Sequence, residues 1–183
     1  CGHLQGKTVI SHEEYINKIK AAHFALEGSG CALIARTDAY HVISFDEAIS
    51  RCNDAIDAGA DISFIEGCAT VADIEEAGKR IKGPKMFAML SSGASPKVTV
   101  EQCAKWGYRL ITMHYAMFAA VAAMESFGKK CFEAGSDIPI TDDPNVDGRP
   151  IYLFEKFGIH EWFQLGKKFG GTYSDTNELE KRE

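Results

Sequence analysis

The feature that most constrains the fold is a pattern that occurs four times. A short apolar segment is followed by a polar turn and then by an amphipathic segment with helical spacing. Each apolar run is nearly continuous, which is typical of parallel strands buried on both faces. Strands that alternate with helices predict an α/β fold with a parallel sheet. The four predicted strands are Cys31–Arg36, Asp61–Glu66, Lys85–Leu90 and Tyr108–His114.

Capping residues mark the predicted helices. Ser11 with Glu14, and Ser44 with Glu47, have the S-x-x-E spacing of a capping box, in which each side chain bonds the other residue's backbone N–H. Two architectures fit this order of elements. A doubly wound sheet is complete with four or five strands, whereas a (β/α)₈ barrel needs eight strands and about 250 residues. The 183 residues would then hold half a barrel, and the pattern alone leaves both architectures open.

Composition excludes several classes of function. The net charge of -6 disfavours a nucleic-acid partner, and no apolar run reaches the roughly 18 residues of a membrane span. None of the six cysteines forms a C-x-x-C pair, so a zinc ribbon or thioredoxin motif is not expected. Reduced, buried thiols indicate a reducing compartment, which we take as the cytoplasm, with mitochondria and peroxisomes left open. Four histidines show no metal-ligand spacing and are interpreted as solvated or packed, namely His12, His23, His41 and His160.

The C-terminal part of the chain differs from the rest. Residues Ala134–Pro150 are rich in Asp, Pro and Gly and are predicted as a loop. Two short helices are expected around Ile151–Phe157 and Ile159–Phe169, and both carry many large apolar side chains. Such helices need a packing partner, for which another subunit is one candidate.

In parallel α/β folds, ligands meet the C-terminal ends of the strands. At these ends Arg36 is a candidate to bind a carboxylate with two hydrogen bonds, and Glu66 to accept a hydrogen bond from substrate or to orient Arg36. The simpler alternative is that Arg36 and Glu66 only pair with each other or with Asp38. The strand-end residues are Arg36-Thr37-Asp38, Glu66-Gly67, Ser91-Ser92-Gly93 and His114-Tyr115.

The chain opens with Cys1-Gly2-His3-Leu4-Gln5-Gly6-Lys7, which has the composition of a mobile active-site loop. Glycines permit unusual dihedral angles, and the nearby His3 and Lys7 favour a thiolate at Cys1. The alternatives are an ordinary loop and a processed N-terminal nucleophile in which Cys1 is activated by its own α-amine.

Taken in order, these motifs resemble the isocitrate lyase/phosphoenolpyruvate mutase superfamily. They are C-G-H-x-x-G-K at 1–7, A-R-T-D-A at 35–39, A-G-A-D at 58–61 and F-I-E-G at 64–67. The resemblance is greatest to the methylisocitrate lyase, oxaloacetate hydrolase and 2,3-dimethylmalate lyase branches. It extends from residue 1 to about residue 170 and includes F-E-K-F-G at 154–158.

The resemblance implies the C-terminal half of a (β/α)₈ barrel, with strands five to eight in residues 1–135. Residues 136–183 would supply a loop and terminal helices that swap between subunits of a homodimer or homotetramer. It further implies Mg²⁺ or Mn²⁺ as cofactor, with the metal ligands preceding the C-G-H loop and none in this chain.

The resemblance also assigns roles to individual residues. Cys1 would act as general acid on a gating loop shaped by Gly2 and His3. Arg36 would bind a substrate carboxylate, and Glu66 would hydrogen-bond near the substrate. The implied reaction cleaves a carbon–carbon bond of a 2-hydroxy or 2-oxo dicarboxylate through an enolate.

Three positions depart from the pattern of those lyases. Met89, Ser91 and Tyr115 stand where the lyases carry an amide, an acid and an apolar–Pro pair, and we expect all three to contact substrate. A changed substrate is one explanation for them. The alternatives are a non-catalytic barrel that acts as an oligomeric scaffold, and a phosphoenolpyruvate mutase-type enzyme, although Cys1 favours lyase chemistry.

Overall fold

The structure is a computed structural model that describes residues 6–90, 93 and 95–171. By spatial clustering the chain divides into two compact units, residues 1–116 and 117–183, so the predicted boundary at residue 135 stays a prediction. The elements are α1 His12–Leu26, β1 Ile34–Thr37, α2 Ala39–Val42, α3 Phe45–Asp57, β2 Ile62–Ile65, α4 Val71–Arg80, β3 Lys85–Met89, α5 Val100–Lys105, β4 Tyr108–Met113, α6 Tyr115–Ala134, α7 Ile138–Thr141, α8 Pro150–Lys156 and α9 Ile159–Lys168.

The first unit contains one sheet whose four strands are all parallel and lie in the order β1-β2-β3-β4. The register pairs Ile34 with Ile62 and Thr37 with Ile65. The predicted α/β fold with a parallel sheet is therefore confirmed. All four predicted strands exist, and the first begins three residues later than expected, at Ile34.

The helix starts follow the capping signals in part. The Ser11 hydroxyl accepts a hydrogen bond from the Glu14 N–H at 3.2 Å, and the Ser44 hydroxyl accepts one from the Glu47 N–H at 3.1 Å. Within the described residues, no hydrogen bond from the serine backbone N–H to the glutamate carboxylate is found for either pair. The Glu14 carboxylate instead pairs with Lys18, and the Glu47 carboxylate pairs with His12 and Arg51. A complete box forms instead where α5 begins.

The core lies between one face of the sheet and the helices. Burial alternates along β1, so that Ala35 and Thr37 are buried while Ile34 and Arg36 lie on the other face. No described residue covers that other face fully, and Ile34 remains 40% exposed. The expectation of burial on both faces is thus met on one face only in β1, whereas in β2 Ser63, Phe64 and Ile65 are all buried. The main cluster consists of Ala39, Ala48, Ile49, Cys52, Ile65, Cys68, Ile74, Ala77, Ile81, Phe87, Cys103 and Tyr108.

The five cysteines that the structure describes are all free thiols. Cys52, Cys68 and Cys103 are buried as expected, whereas Cys31 is exposed because it lies in the turn before β1. Burial raises the pKa of Cys52 to about 12, so this thiol stays protonated and serves as a small apolar core residue.

The second unit contains the two predicted short helices as α8 and α9, separated by Gly158, whose φ is 76°. The segment predicted as a loop includes one short helix, α7. Large apolar side chains remain exposed here, with Phe157 at 81% and Trp162 at 69%. Among the described residues, no helix combines the length and the apolar character that a membrane crossing requires.

Candidate active site

A cavity of about 850 Å³ lies at the C-terminal ends of the four strands. This is the end at which ligands bind in parallel α/β folds. Every strand contributes to its wall. The lining residues that follow or end the strands are Arg36, Thr37, Asp38, Glu66, Gly67, Ala88, Leu90, Gly93 and His114.

Arg36 is the central cation of this cavity. Its Nε donates to Asp38 Oδ2 at 2.9 Å and its Nη2 to Asp38 Oδ1 at 3.0 Å, while Nη2 also lies 3.2 Å from Glu66 Oε2. The guanidinium carbon lies 5.7 Å from the centre of the Phe64 ring. The hydrogen bond to Asp38 raises the pKa of Arg36, so the guanidinium is charged. Both pairings of the simpler alternative are formed, yet the Arg36 side chain is still 46% exposed.

Asp38 joins Arg36 to the segment that follows the C-G-H loop. Its Oδ1 also accepts a hydrogen bond from Lys7 Nζ. Burial alone would raise the pKa of Asp38, but the hydrogen bonds from Arg36 and Lys7 outweigh it and hold the pKa below its usual value. The carboxylate is therefore ionised at neutral pH and shared between two cations.

The loops that follow β1 and β2 are fastened to each other. His41 Nε2 lies 2.6 Å from the carbonyl oxygen of Gly67, and the Tyr40 hydroxyl donates to Asp73 Oδ2 at 2.7 Å. Gly67 has a φ of 73°, and a Cβ there would lie 2.9 Å from His41 Nε2, so only glycine fits this turn. Because Gly67 directly follows Glu66, the contact with His41 helps to hold the Glu66 backbone in position.

His41, interpreted from the sequence as solvated or packed, is exposed and also lines the cavity. Asp38 likewise had no predicted role beyond pairing with Arg36. Their position immediately after the first strand was the available signal for both residues.

The wall formed by β3 and β4 is largely apolar. Met86, Ala88 and Leu90 alternate along β3 toward the cavity, and Thr112 and His114 do so along β4. The buried Thr112 hydroxyl has no hydrogen-bond partner among the described residues, which leaves it open to a ligand.

The charged groups around the cavity are ion-paired. Lys7 and Arg36 pair with Asp38 and Glu66, and Arg51, which also lines the cavity, pairs with Glu47. Across residues 6–90, 93 and 95–171, no group of three or more His, Cys, Asp or Glu side chains is arranged to hold a metal ion. The described residues therefore fit recognition of a carboxylate by Arg36 and do not form a metal site.

The sequence of this chain matches a known protein family. Residues 2–132 match the family model described as phosphoenolpyruvate phosphomutase. The chain belongs to the phosphoenolpyruvate mutase/isocitrate lyase superfamily. A 2-methylisocitrate lyase of Aeropyrum pernix is 36% identical over 143 residues, which cover 78% of this chain and 46% of that protein.

Two solved structures of the superfamily show the same arrangement of elements. Oxaloacetate acetylhydrolase, in complex with the inhibitor 3,3-difluorooxalacetate, superposes with a TM-score of 0.83 at 30% identity over 95% of this chain and 58% of that one. A 2,3-dimethylmalate lyase superposes with a TM-score of 0.82 at 30% identity over 96% and 58%. The chain thus spans about half the length of the superfamily members it matches.

Two residues assigned to the substrate pocket on this resemblance do not line the cavity formed by the described residues. The Met89 side chain packs against the main core cluster, because successive side chains of a strand point to opposite faces and its neighbours Ala88 and Leu90 line the cavity. Tyr115 begins α6, is 73% exposed and is not part of the cavity wall, whereas His114 is. Contact of Met89 and Tyr115 with substrate stays a prediction, and Leu90 and His114 are the neighbouring residues that line the cavity.

Arg36 and Glu66 are brought together at the strand ends, and their roles toward a substrate stay predictions. Cys1, Gly2, His3 and Ser91 lie outside the described residues, and their roles stay predictions.

Proposed function

We propose that this chain forms strands five to eight of a (β/α)₈ barrel. Four parallel strands in chain order, with helices packed on one face, are the arrangement that half a barrel requires. The face that carries Ile34 and Arg36 would then point to the barrel interior. The chain spans 46% of the Aeropyrum pernix lyase and 58% of the oxaloacetate acetylhydrolase chain, which supports the same proposal.

We further propose that the full-length protein is a carbon–carbon bond lyase or hydrolase that acts on a 2-hydroxy or 2-oxo dicarboxylate. The observation that carries this proposal is the charged, half-exposed Arg36 at a strand end, held by Asp38 and Glu66 inside the cavity. A guanidinium held in this way is oriented before substrate arrives, which lowers the entropic cost of binding a carboxylate.

In the proposed reaction a base removes the proton from the 2-hydroxyl group, the adjacent carbon–carbon bond breaks, and the oxygen's electron pair forms a carbonyl. The bonding pair stays on the leaving carbon as an enolate, whose charge Arg36 stabilises by its position. Cys1 then donates its thiol proton to that carbon, and the thiolate regains a proton from solvent. Glu66 accepts a hydrogen bond from substrate and keeps Arg36 in place.

We propose Mg²⁺, or Mn²⁺ in its place, as the cofactor on family grounds. The described residues form no site for it, so its ligands are expected outside this segment.

The substrate is expected to be small and to carry alkyl groups. Leu90, Ala88 and Phe64 form an apolar wall close to Arg36. Such a wall favours a methylated malate over a tricarboxylate, because a third carboxylate would lose its hydration without a partner.

A homodimer or homotetramer with swapped terminal helices is the proposed assembly. Phe157, Trp162 and Phe169 are 81%, 69% and 79% exposed, and a partner subunit would cover such side chains.

A non-catalytic scaffold is the second candidate function, because it would need this subunit interface and would tolerate the apolar Leu90. A phosphoenolpyruvate mutase-type enzyme is the third, since the family description names that activity.

The deciding experiment assays the purified full-length protein with Mg²⁺ against 2,3-dimethylmalate, 2-methylisocitrate, oxaloacetate and phosphoenolpyruvate. We expect cleavage of one of the first three and none of the fourth. Phosphonopyruvate formation would establish the mutase alternative, and no turnover with an intact oligomer would establish the scaffold.

A further inference from the structure

Asp38 lies between two cations that come from segments distant in sequence. Its Oδ1 accepts hydrogen bonds from Lys7 Nζ and Arg36 Nη2, and its Oδ2 accepts one from Arg36 Nε. The carboxylate is only 20% exposed, and the Lys7 side chain 18%. Ion pairs of this kind are stronger than exposed ones because water screens them less.

The hydrogen bonds between Arg36 and Asp38 limit which N–H groups of the guanidinium remain for a ligand. A guanidinium has five N–H donors in a rigid plane. Asp38 occupies the edge formed by Nε and Nη2, and Glu66 lies 3.2 Å from Nη2. Among the described residues no hydrogen bond or ion pair of Nη1 is found, so this end of the guanidinium is the part left for a ligand.

The same carboxylate holds the segment that leaves the C-G-H loop. Lys7 follows Gly6, and the segment continues to Ile10, whose carbonyl oxygen accepts a hydrogen bond from Arg51 Nη2 at 2.8 Å. Arg51 belongs to α3, and its side chain is buried. The segment is thus fixed at Lys7 and at Ile10, and the first of these two points is also the point that orients Arg36.

We infer that Asp38 is a positioning residue that ties the exit of the C-G-H loop to the orientation of the substrate-binding Arg36. This inference rests on the proposed function, in which Arg36 binds a substrate carboxylate. Loss of the Asp38 charge frees the guanidinium to rotate and releases Lys7 at the same time. Substrate affinity and the position of Lys7 then change together, because both depend on the Asp38 carboxylate.

The test compares Asp38→Asn, Asp38→Glu and Asp61→Asn in the full-length protein. Asp61 is a matched control, because its carboxylate accepts a hydrogen bond from the Leu33 N–H at 2.7 Å beside the opposite end of β1. For Asp38→Asn we expect KM to rise about tenfold and kcat to fall as well, since a charge-assisted hydrogen bond is lost. Asp38→Glu should recover part of the loss because it restores the charge. Asp61→Asn should keep both constants. Wild-type kinetics in Asp38→Asn would overturn the inference.

A second measurement does not depend on turnover. Phenylglyoxal modifies arginine side chains, and mass spectrometry of the peptide that contains Arg36 gives its rate of modification. Release from the Asp38 carboxylate should make Arg36 in Asp38→Asn react several-fold faster than in wild type or Asp61→Asn. An unchanged rate would overturn the inference. Arg36 could be modified faster in Asp38→Asn although the wild-type protein turns over none of the substrates. That result would refute the lyase proposal and still support the orientation of Arg36 by Asp38.

Discussion

The Arg36 guanidinium and the Glu66 carboxylate bridge the ends of two neighbouring strands, with Nη2 of the first 3.2 Å from Oε2 of the second. The parallel register of β1 and β2 brings them together, because Thr37 pairs with Ile65 and its carbonyl oxygen accepts a hydrogen bond from the Glu66 N–H at 3.0 Å. Twenty-nine residues lie between Arg36 and Glu66 in the sequence. The sheet therefore builds the centre of the candidate site directly.

Arg36→Lys tests whether this centre binds substrate. An ammonium cannot hold Asp38 through two parallel hydrogen bonds and also offer a fixed N–H to substrate, so KM should rise at least about tenfold in steady-state assays. The melting temperature should change little, because the side chain is half exposed. Arg80→Lys is the control, since Arg80 also has an ion pair, with Asp46, and a ring contact, with Phe45. A lower melting temperature with an unchanged KM would support a purely structural role for Arg36.

Cys1→Ser tests the proposed general acid. Turnover should fall by about 10²–10⁴-fold, because serine is a much weaker acid at the same position. Substrate affinity, measured by calorimetry, should change much less since Arg36 is intact. The exposed, free Cys31 provides the control variant Cys31→Ser, which should retain activity. Near-normal turnover of Cys1→Ser would rule out this role.

Leu90→Asn and Met89→Asn distinguish the two faces of β3. Leu90 lines the cavity, so an amide there should lower the preference for 2,3-dimethylmalate over isocitrate, measured as the ratio of kcat/KM values. Met89 packs against the core, so the same substitution should lower stability by about 1 kcal/mol or more and leave that ratio unchanged. A change of this kcat/KM ratio in Met89→Asn alone would instead support a contact between Met89 and substrate.

Glu47→Gln tests the cluster that holds α1 and α3 together. Burial alone would raise the pKa of Glu47, but hydrogen bonds from Arg51 and His12 outweigh it and lower the pKa below the ordinary 4.5. A lowered folded-state pKa contributes stability above that ordinary value, and the contribution is lost as the pH falls through the folded-state pKa.

At pH 7, Glu47→Gln should therefore reduce the free energy of unfolding by about 2–3 kcal/mol, since the buried Arg51 loses its charged partner. The difference from wild type should shrink as the pH falls below 4.5 in urea titrations. Glu75→Gln is the control, because its ion pair with Lys79 is solvent-exposed and should contribute little. A difference that is independent of pH would contradict this reasoning.

Residues 1–183 expressed alone should neither turn over substrate nor form a well-folded monomer. Within the described residues β1 and β4 are the edges of the sheet, and unpaired edges associate with other chains. Sedimentation velocity should show concentration-dependent association, with the full-length protein as the control. A monodisperse monomer with a sharp thermal transition would instead favour the complete doubly wound sheet.

The sequence by itself determined the order of strands and helices. Continuous apolar runs, helical spacing and capping residues such as Ser11 and Ser44 are local signals that do not depend on distant contacts. The same signals placed Arg36 and Glu66 at the ends of neighbouring strands. The motifs around them were sufficient for the family.

The tertiary structure decided which side chains share the cavity. Which face of β3 carries Met89 depends on where the strand begins and how it pairs, so the sequence alone did not show that Met89 packs against the core while Ala88 and Leu90 line the cavity. Tertiary structure also brought Lys7 to Asp38 and His41 to Gly67, across separations of 31 and 26 residues. No local propensity encodes such contacts, because they form only when the strands align and bring their following loops to one edge of the sheet.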